Sequence, residues 1–163
     1  MAIKEFEFMH GGVITRLLRK DVPMQLTLIG TDIKDSKAVY KILTDRNSRI
    51  ILYIKYRSKP EVRKNEDDTW IFNFTLNNLK EIESYKDKEF MAALVCGKDG
   101  RLGSSEVCLL DSEYLFSNVD VFASTTQSLT IKLSAGKSFR VYSRVCAQKP
   151  MIISKNRIDK IEI

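Results

Sequence analysis

The residue whose setting most demands an explanation is Lys55. It stands in the run IILYIKYR (50–57), the most apolar and β-branched stretch of the first half of the chain, and such composition predicts a central strand. Side chains alternate across a strand, so Ile51, Tyr53, Lys55 and Arg57 share one face and Leu52, Ile54 and Tyr56 the other. An ammonium pointing from a central strand is costly unless it is paired or lies at the sheet's end. A snorkelling lysine is the plain reading. The region running from Asp32 to Lys59 also holds Asp35, which opens the strand before it, and Ser58 and Lys59, which continue past the strand's end.

Other chemistry is poorly supplied. His10 is the single imidazole and precedes Gly11 and Gly12, so it suits a general base or phosphate ligand beside a helix start, or a capping or packing residue. The cysteines at 96, 108 and 146 are odd in number, and the first two lie in apolar runs, which points to buried thiols and against a disulfide framework. With no Cys-x-x-Cys pair, zinc is disfavoured. The glycines of GKDGRLGSS (97–105) lack the spacing of a phosphate-cradling loop, and no Gly-x-Ser-x-Gly elbow is present.

Charge carries more information. The chain has 163 residues and a net charge of +6, and the excess is segregated. Residues 34–64 hold ten Lys/Arg against three acids, and residues 137–160 hold seven against one. Segregated positive charge suits a polyanion through phosphate neutralisation, although a solvated surface whose charges mix on folding is the other reading. The segments 128–134 and 138–144 pair as a hairpin around Ala135-Gly136-Lys137. Alternation turns Leu129, Ile131, Leu133, Phe139 and Val141 inward and leaves Thr130, Lys132, Arg140, Tyr142 and Arg144 outward. Cations interleaved with an aromatic suit phosphate contact and base stacking. Together with Arg57 and Lys59, the residues Lys132, Arg140, Tyr142 and Arg144 form the expected nucleic-acid-binding set. Trp70 reads as core.

These residues need a scaffold. Periodicity predicts a helix over 12–20 and strands over 24–30, 37–43 and 50–57, followed by a strand at 70–75. A helix over 76–88 is capped by Thr75, then come strands at 90–96 and 106–110 and a short helix capped by Asp111 or Ser112. The hairpin and a weakly alternating tail complete the order. The strand at 70–75, the helix and the strand at 90–96 suggest a right-handed crossover. The expectation is an α/β (α+β) fold in one domain, 1–163. A central mixed β-sheet is flanked by helices over a core of about 12–96, with a C-terminal extension of about 104–163 bearing the β-hairpin.

The segments at 12–20, 24–30, 37–43, 50–57, 76–88 and 90–96 resemble, in their order, the restriction-endonuclease-like superfamily, with one strand inserted. That family carries an Asp at the start of its second strand and Asp/Glu-x-Lys on its third. By resemblance, Asp35 matches the first carboxylate and Lys55 the lysine, while Tyr53 stands where the second acid belongs. The resemblance implies a Mg²⁺-dependent nuclease, with Asp35 as metal ligand and Asp35 and Lys55 as catalytic residues. Two carboxylates normally hold such a cation, so a second acid must come from elsewhere. Glu81, Glu83 and Glu7 are candidates, with Glu83 assigned to the catalytic set. The functional expectation is a cytoplasmic nucleic-acid-binding protein, DNA first among its ligands, that is also a metal-dependent nuclease. The alternative is a non-catalytic nucleic-acid-binding or protein-interaction subunit of a larger assembly, with a protein partner or a second copy. No apolar run approaches the ~18 residues of a membrane span.

Overall fold

The computed structural model describes residues 2–46, 48–62, 67–145 and 149–163. Fourteen residues of α-helix, α1 (Glu5–Leu18), lead into a meander of β1 (Met24–Asp32), β2 (Lys37–Thr44) and β3 (Arg49–Arg57). Then come β4 (Asp68–Phe74), α2 (Leu76–Ser84), β5 (Glu89–Cys96), β6 (Glu106–Asp111) and α3 (Ser112–Asn118). The chain closes with β7 (Gln127–Leu133), β8 (Phe139–Tyr142), β9 (Met151–Ile153) and the single turn α4 (Arg157–Lys160). No helix among the described residues is long and apolar enough to cross a membrane.

The strands form two sheets that make one α+β domain. The first is mixed, in the order β1-β2-β3-β5-β6, and the second is antiparallel, in the order β4-β7-β8-β9. Within the first sheet β1, β2 and β3 pair antiparallel, and β5 joins β3 in parallel. A parallel strand requires a crossover, and the span through β4 and α2 supplies it.

Strands β3 and β5 are apolar on both sides because both sides are covered. One side carries Ile51, Tyr53, Phe90, Ala92 and Leu94 against Trp70, Phe72, Phe74, Leu129, Ile131, Phe139 and Val141 of the second sheet. The other carries Leu52, Ile54, Met91 and Ala93 against Met9, Val13 and Leu17 of α1. The layers are thus helix, mixed sheet and antiparallel sheet. Each large apolar side chain buried in them contributes about 1.5–3 kcal/mol.

Four expectations need correction. The strand at 70–75 does not open the crossover. As β4 it pairs with β7 in the second sheet. Its burial is one-sided, Trp70, Phe72 and Phe74 being fully buried while Asn73 is exposed, and that suits a sandwich layer rather than the interior of a two-faced sheet. Helix α1 starts at Glu5 and not at Gly12. Met9 and His10 continue the stripe of Val13 and Leu17, and Gly11 and Gly12 stay inside the helix. Helix α2 stops at Ser84, four residues short of the expected 88. The segment 104–163 is no appendage: β6 completes the first sheet and β7–β9 build the second around β4. The tail adds the expected edge strand to β8, but then returns to the far face, where Ile158 and Ile163 join the α1 layer.

His10 belongs to that layer. It is 4% exposed, its ring lies edge-on to Phe6 and Tyr56, and Nε2 is 3.4 Å from the Ser36 carbonyl. Burial holds its pKa below the usual 6.5, so the unfolded chain binds the proton more readily. Stability contributed by neutral His10 is present above pH 6.5 and is lost as pH falls from there through the lowered folded value. His10→Gln is expected to flatten this part of the acid limb when urea midpoints are measured against pH, while an unchanged slope would place its titration elsewhere.

Candidate functional site

Antiparallel register brings the candidate pair together. Strand β2 runs against β3 with Lys37 directly opposite Lys55, and the turn before β2 folds Asp35 over the sheet end. Asp35 Oδ1 accepts a hydrogen bond from Lys55 Nζ at 2.8 Å. Lys55 is 4% exposed and its ammonium sits 5.8 Å from the centroid of the Phe74 ring. Burial pulls its pKa below the ordinary lysine value, and the Asp35 carboxylate opposes that pull.

A third residue closes a ring. Asn78 Oδ1 accepts from Lys55 Nζ at 3.3 Å, and Asn78 Nδ2 donates to Asp35 Oδ2 at 2.6 Å. Asn78 is held by the start of α2. The Thr75 hydroxyl accepts from the Asn78 N–H at 3.2 Å, and the Thr75 N–H donates to Asn78 Oδ1 at 3.1 Å. This reciprocal cap fixes both the helix start and the carboxamide. The sequence reading identified Thr75 as the cap and missed Asn78. The signal available was the T-x-x-N spacing, with Asn in place of the usual Glu or Gln.

One helical turn beyond, Glu81 forms an ion pair with Lys37. Two lysines directly opposite on neighbouring strands repel, so each is matched by its own carboxylate: Lys55 by Asp35 and Lys37 by Glu81. Tyr53, at the position of the second acid, is fully buried between the sheets beside Phe74 and Phe90. Burial, reinforced by the negative charges of Glu81 and Asp35, pushes its pKa far upward and keeps the phenol protonated. Its hydroxyl has no hydrogen-bond partner among the described residues.

The other candidate acids lie elsewhere. Glu83 lines a groove with Leu76, Lys80, Val121 and Phe122, on the side of α2 away from Asn78 and Glu81. Glu7 is on α1, across the first sheet, where it accepts a hydrogen bond from the Lys4 N–H.

As arranged, these residues do not fit a divalent cation. Each Asp35 oxygen already accepts one hydrogen bond and Asn78 Oδ1 accepts two. Glu81 is taken by Lys37, and two ammonium groups already stand at the site. Among the described residues no group of three or more His, Cys, Asp or Glu is placed to hold a metal.

The structure divides the basic segments. Just past the C-terminal end of β3, Glu61 N–H donates to the Thr69 carbonyl at 2.7 Å, and Thr69, Lys132 and Arg140 follow one another across β4, β7 and β8. The segment after β3 thereby reaches the edge of β4, with Lys132 and Arg140 on the next two strands. Lys132 lies 5.7 Å from the centroid of the Tyr142 ring. Lys59 and Arg144 are exposed, whereas Arg57 is paired with Glu61 and Arg140 with Asp67. Arg46, at the opposite end, lines a cavity of about 640 Å³ with Arg16, Arg19 and Lys20 of the α1 end. Arg63 and Lys64 of the first segment, and Cys146, lie outside the described residues.

No protein-family model, curated protein or solved structure matches this chain.

Proposed function

We propose that this protein is a nucleic-acid-binding domain with a restriction-endonuclease-like core that binds without cleaving, DNA being the first ligand to test. The observation that carries the reading is the outer face of the second sheet, where Lys132, Arg140 and Tyr142 stand on neighbouring strands. The segment after β3, which holds Lys59, reaches the edge of that sheet through the Glu61–Thr69 hydrogen bond, and Arg144 is exposed just beyond β8. A row of cations around one aromatic suits phosphate contact combined with base stacking. The helix–meander–crossover order and the contact of Asp35 with Lys55 support the core assignment. The reading places the protein in the cytoplasm, where the buried thiols of Cys96 and Cys108 stay reduced.

The test is anisotropy of labelled single- and double-stranded oligonucleotides across a salt series. Affinity is expected to fall steeply from low to physiological salt, and the double variant Lys132→Ala, Arg144→Ala to lower the logarithmic salt slope by about 2. Binding that ignores salt, or is untouched by that variant, removes the reading. A second reading, a Mg²⁺-dependent nuclease, rests on the resemblance of Asp35 and Lys55 to the family's pattern, and the ring as arranged speaks against it. Cleavage with Mg²⁺ or Mn²⁺ that disappears in Lys55→Ala would establish it in place of the first.

A further inference from the structure

The ring at Asp35, Lys55 and Asn78 closes on the chain's own hydrogen bonds, each member bonded to the other two. We infer that the Lys55 ammonium occupies the position of a bound cation at this site, and that Asn78 is the residue that makes this arrangement stable in the absence of metal. The inference rests on the nuclease-like reading of the core and is independent of nucleic-acid binding.

The argument is one of donors and acceptors. A carboxylate offers acceptors only, whereas a carboxamide offers both. Asn78 uses Nδ2 to donate to Asp35 Oδ2 and Oδ1 to accept from Lys55 and from the Thr75 N–H. Each side of the amide therefore meets its complement, and the Asp35–Lys55–Asn78 ring carries no net charge. Aspartate at 78 keeps the acceptor side and loses the donor. A second carboxylate oxygen would then face Asp35 Oδ2 across a contact that is 2.6 Å in the native chain. Two carboxylates that close cannot both ionise without a further cation or a shared proton. One ammonium against two carboxylates leaves a negative ring, and paired oxygens of that kind are what Mg²⁺ and Mn²⁺ take as ligands. The amide thus decides whether the site is filled by the chain's own cation or needs one from solution.

The neighbours reinforce the choice. Lys37 lies directly opposite Lys55, so a dication entering the native ring would meet two ammonium groups and two carboxylates that are already paired. Glu81 cannot turn to help without abandoning Lys37.

Three proteins decide the matter: the native chain, Asp35→Asn and Asn78→Asp, each titrated with MnCl₂ by calorimetry and by thermal unfolding with and without EDTA. The native chain and Asp35→Asn are expected to behave alike, with no one-equivalent site. Asn78→Asp is expected to take up one equivalent of Mn²⁺ where the native chain takes up none, and to unfold at a higher temperature with Mn²⁺ than with EDTA. A folded Asn78→Asp that ignores Mn²⁺ overturns the role given to Asn78. Should either variant fail to fold, the native chain still decides. Its Asn78 side-chain amide resonances are expected to persist under traces of paramagnetic Mn²⁺, and their selective broadening would show a metal at the ring and overturn the inference. None of these readouts involves a nucleic acid, so a failure of binding to oligonucleotides leaves this outcome separately readable.

Discussion

Asp35→Ala is expected to lower the free energy of unfolding by about 3–5 kcal/mol, the loss seen when one partner is removed from a buried ion pair. The size follows from which partner remains. Lys55 is 4% exposed, so its ammonium would stay in the protein with only the Asn78 carbonyl oxygen and the face of Phe74 beside it. The Asn78 amide would also lose its acceptor. Lys55→Met is expected to cost less, because the Asp35 side chain is 24% exposed and keeps both water and the Asn78 N–H. The sign of the pH dependence separates this account from simple loss of packing. Burial lowers the Lys55 pKa and Asp35 raises it, so the variant's lysine titrates lower still. Between that value and the ordinary 10.5 the unfolded chain binds more protons, and stability rises with pH in that window. The deficit of Asp35→Ala relative to the native chain should therefore shrink as pH is raised toward 10.5 in urea unfolding. A deficit constant with pH would mean that the charge of Lys55 is not what is being left behind.

Trp70→Ala is expected to cost about 3–5 kcal/mol, the range for deleting a large buried aromatic. Trp70 is fully buried in the layer between the sheets. Its Nε1–H donates to the Gly97 carbonyl at 2.9 Å, which ties β4 of the second sheet to the end of β5 in the first. Gly97 is fitted to that junction: a Cβ there would lie 2.5 Å from the backbone oxygens of Arg57 and Ser58. Trp70→Phe separates the two contributions. It keeps most of the apolar volume and removes the donor, so a loss of about 1–3 kcal/mol measures the unsatisfied Gly97 carbonyl. Equal losses for Ala and Phe in equilibrium denaturation would show that the hydrogen bond outweighs the packing.

Both variants probe places where chain segments distant in sequence meet, and these mark the boundary of what the sequence reveals. Alternation in IILYIKYR and in the 128–144 hairpin identified the strands and which side chains share a face, and the observed cores agree with that division. Helix starts were legible where a Thr or Asp side chain caps locally, at Thr75 and at Asp111, whose carboxylate accepts from the Tyr114 N–H at 3.1 Å. The glycines at 11 and 12 misled because they hide the stripe from Met9 to Leu17, which only burial against the sheet makes worth keeping helical.

What tertiary structure alone decided is partnership. Periodicity records how much of a side chain is covered, not by what. Thus β4 was legible as a strand, but its sheet depended on β7, more than fifty residues later. The spacing of Asn78 from Thr75 signals the cap alone, and its contacts with Lys55 and Asp35 exist only once the crossover sets α2 over the end of β3. The same holds for the charges: Arg57 and Arg140 read as free cations in a linear chain, and folding delivers Glu61 and Asp67 to them. By itself the sequence determined an α+β chain with a lysine on a central strand and an aspartate able to meet it. That this lysine is held between one carboxylate and one carboxamide was decided by the β2–β3 register and the cap of α2, since hydrogen-bond partners are chosen by distance in space.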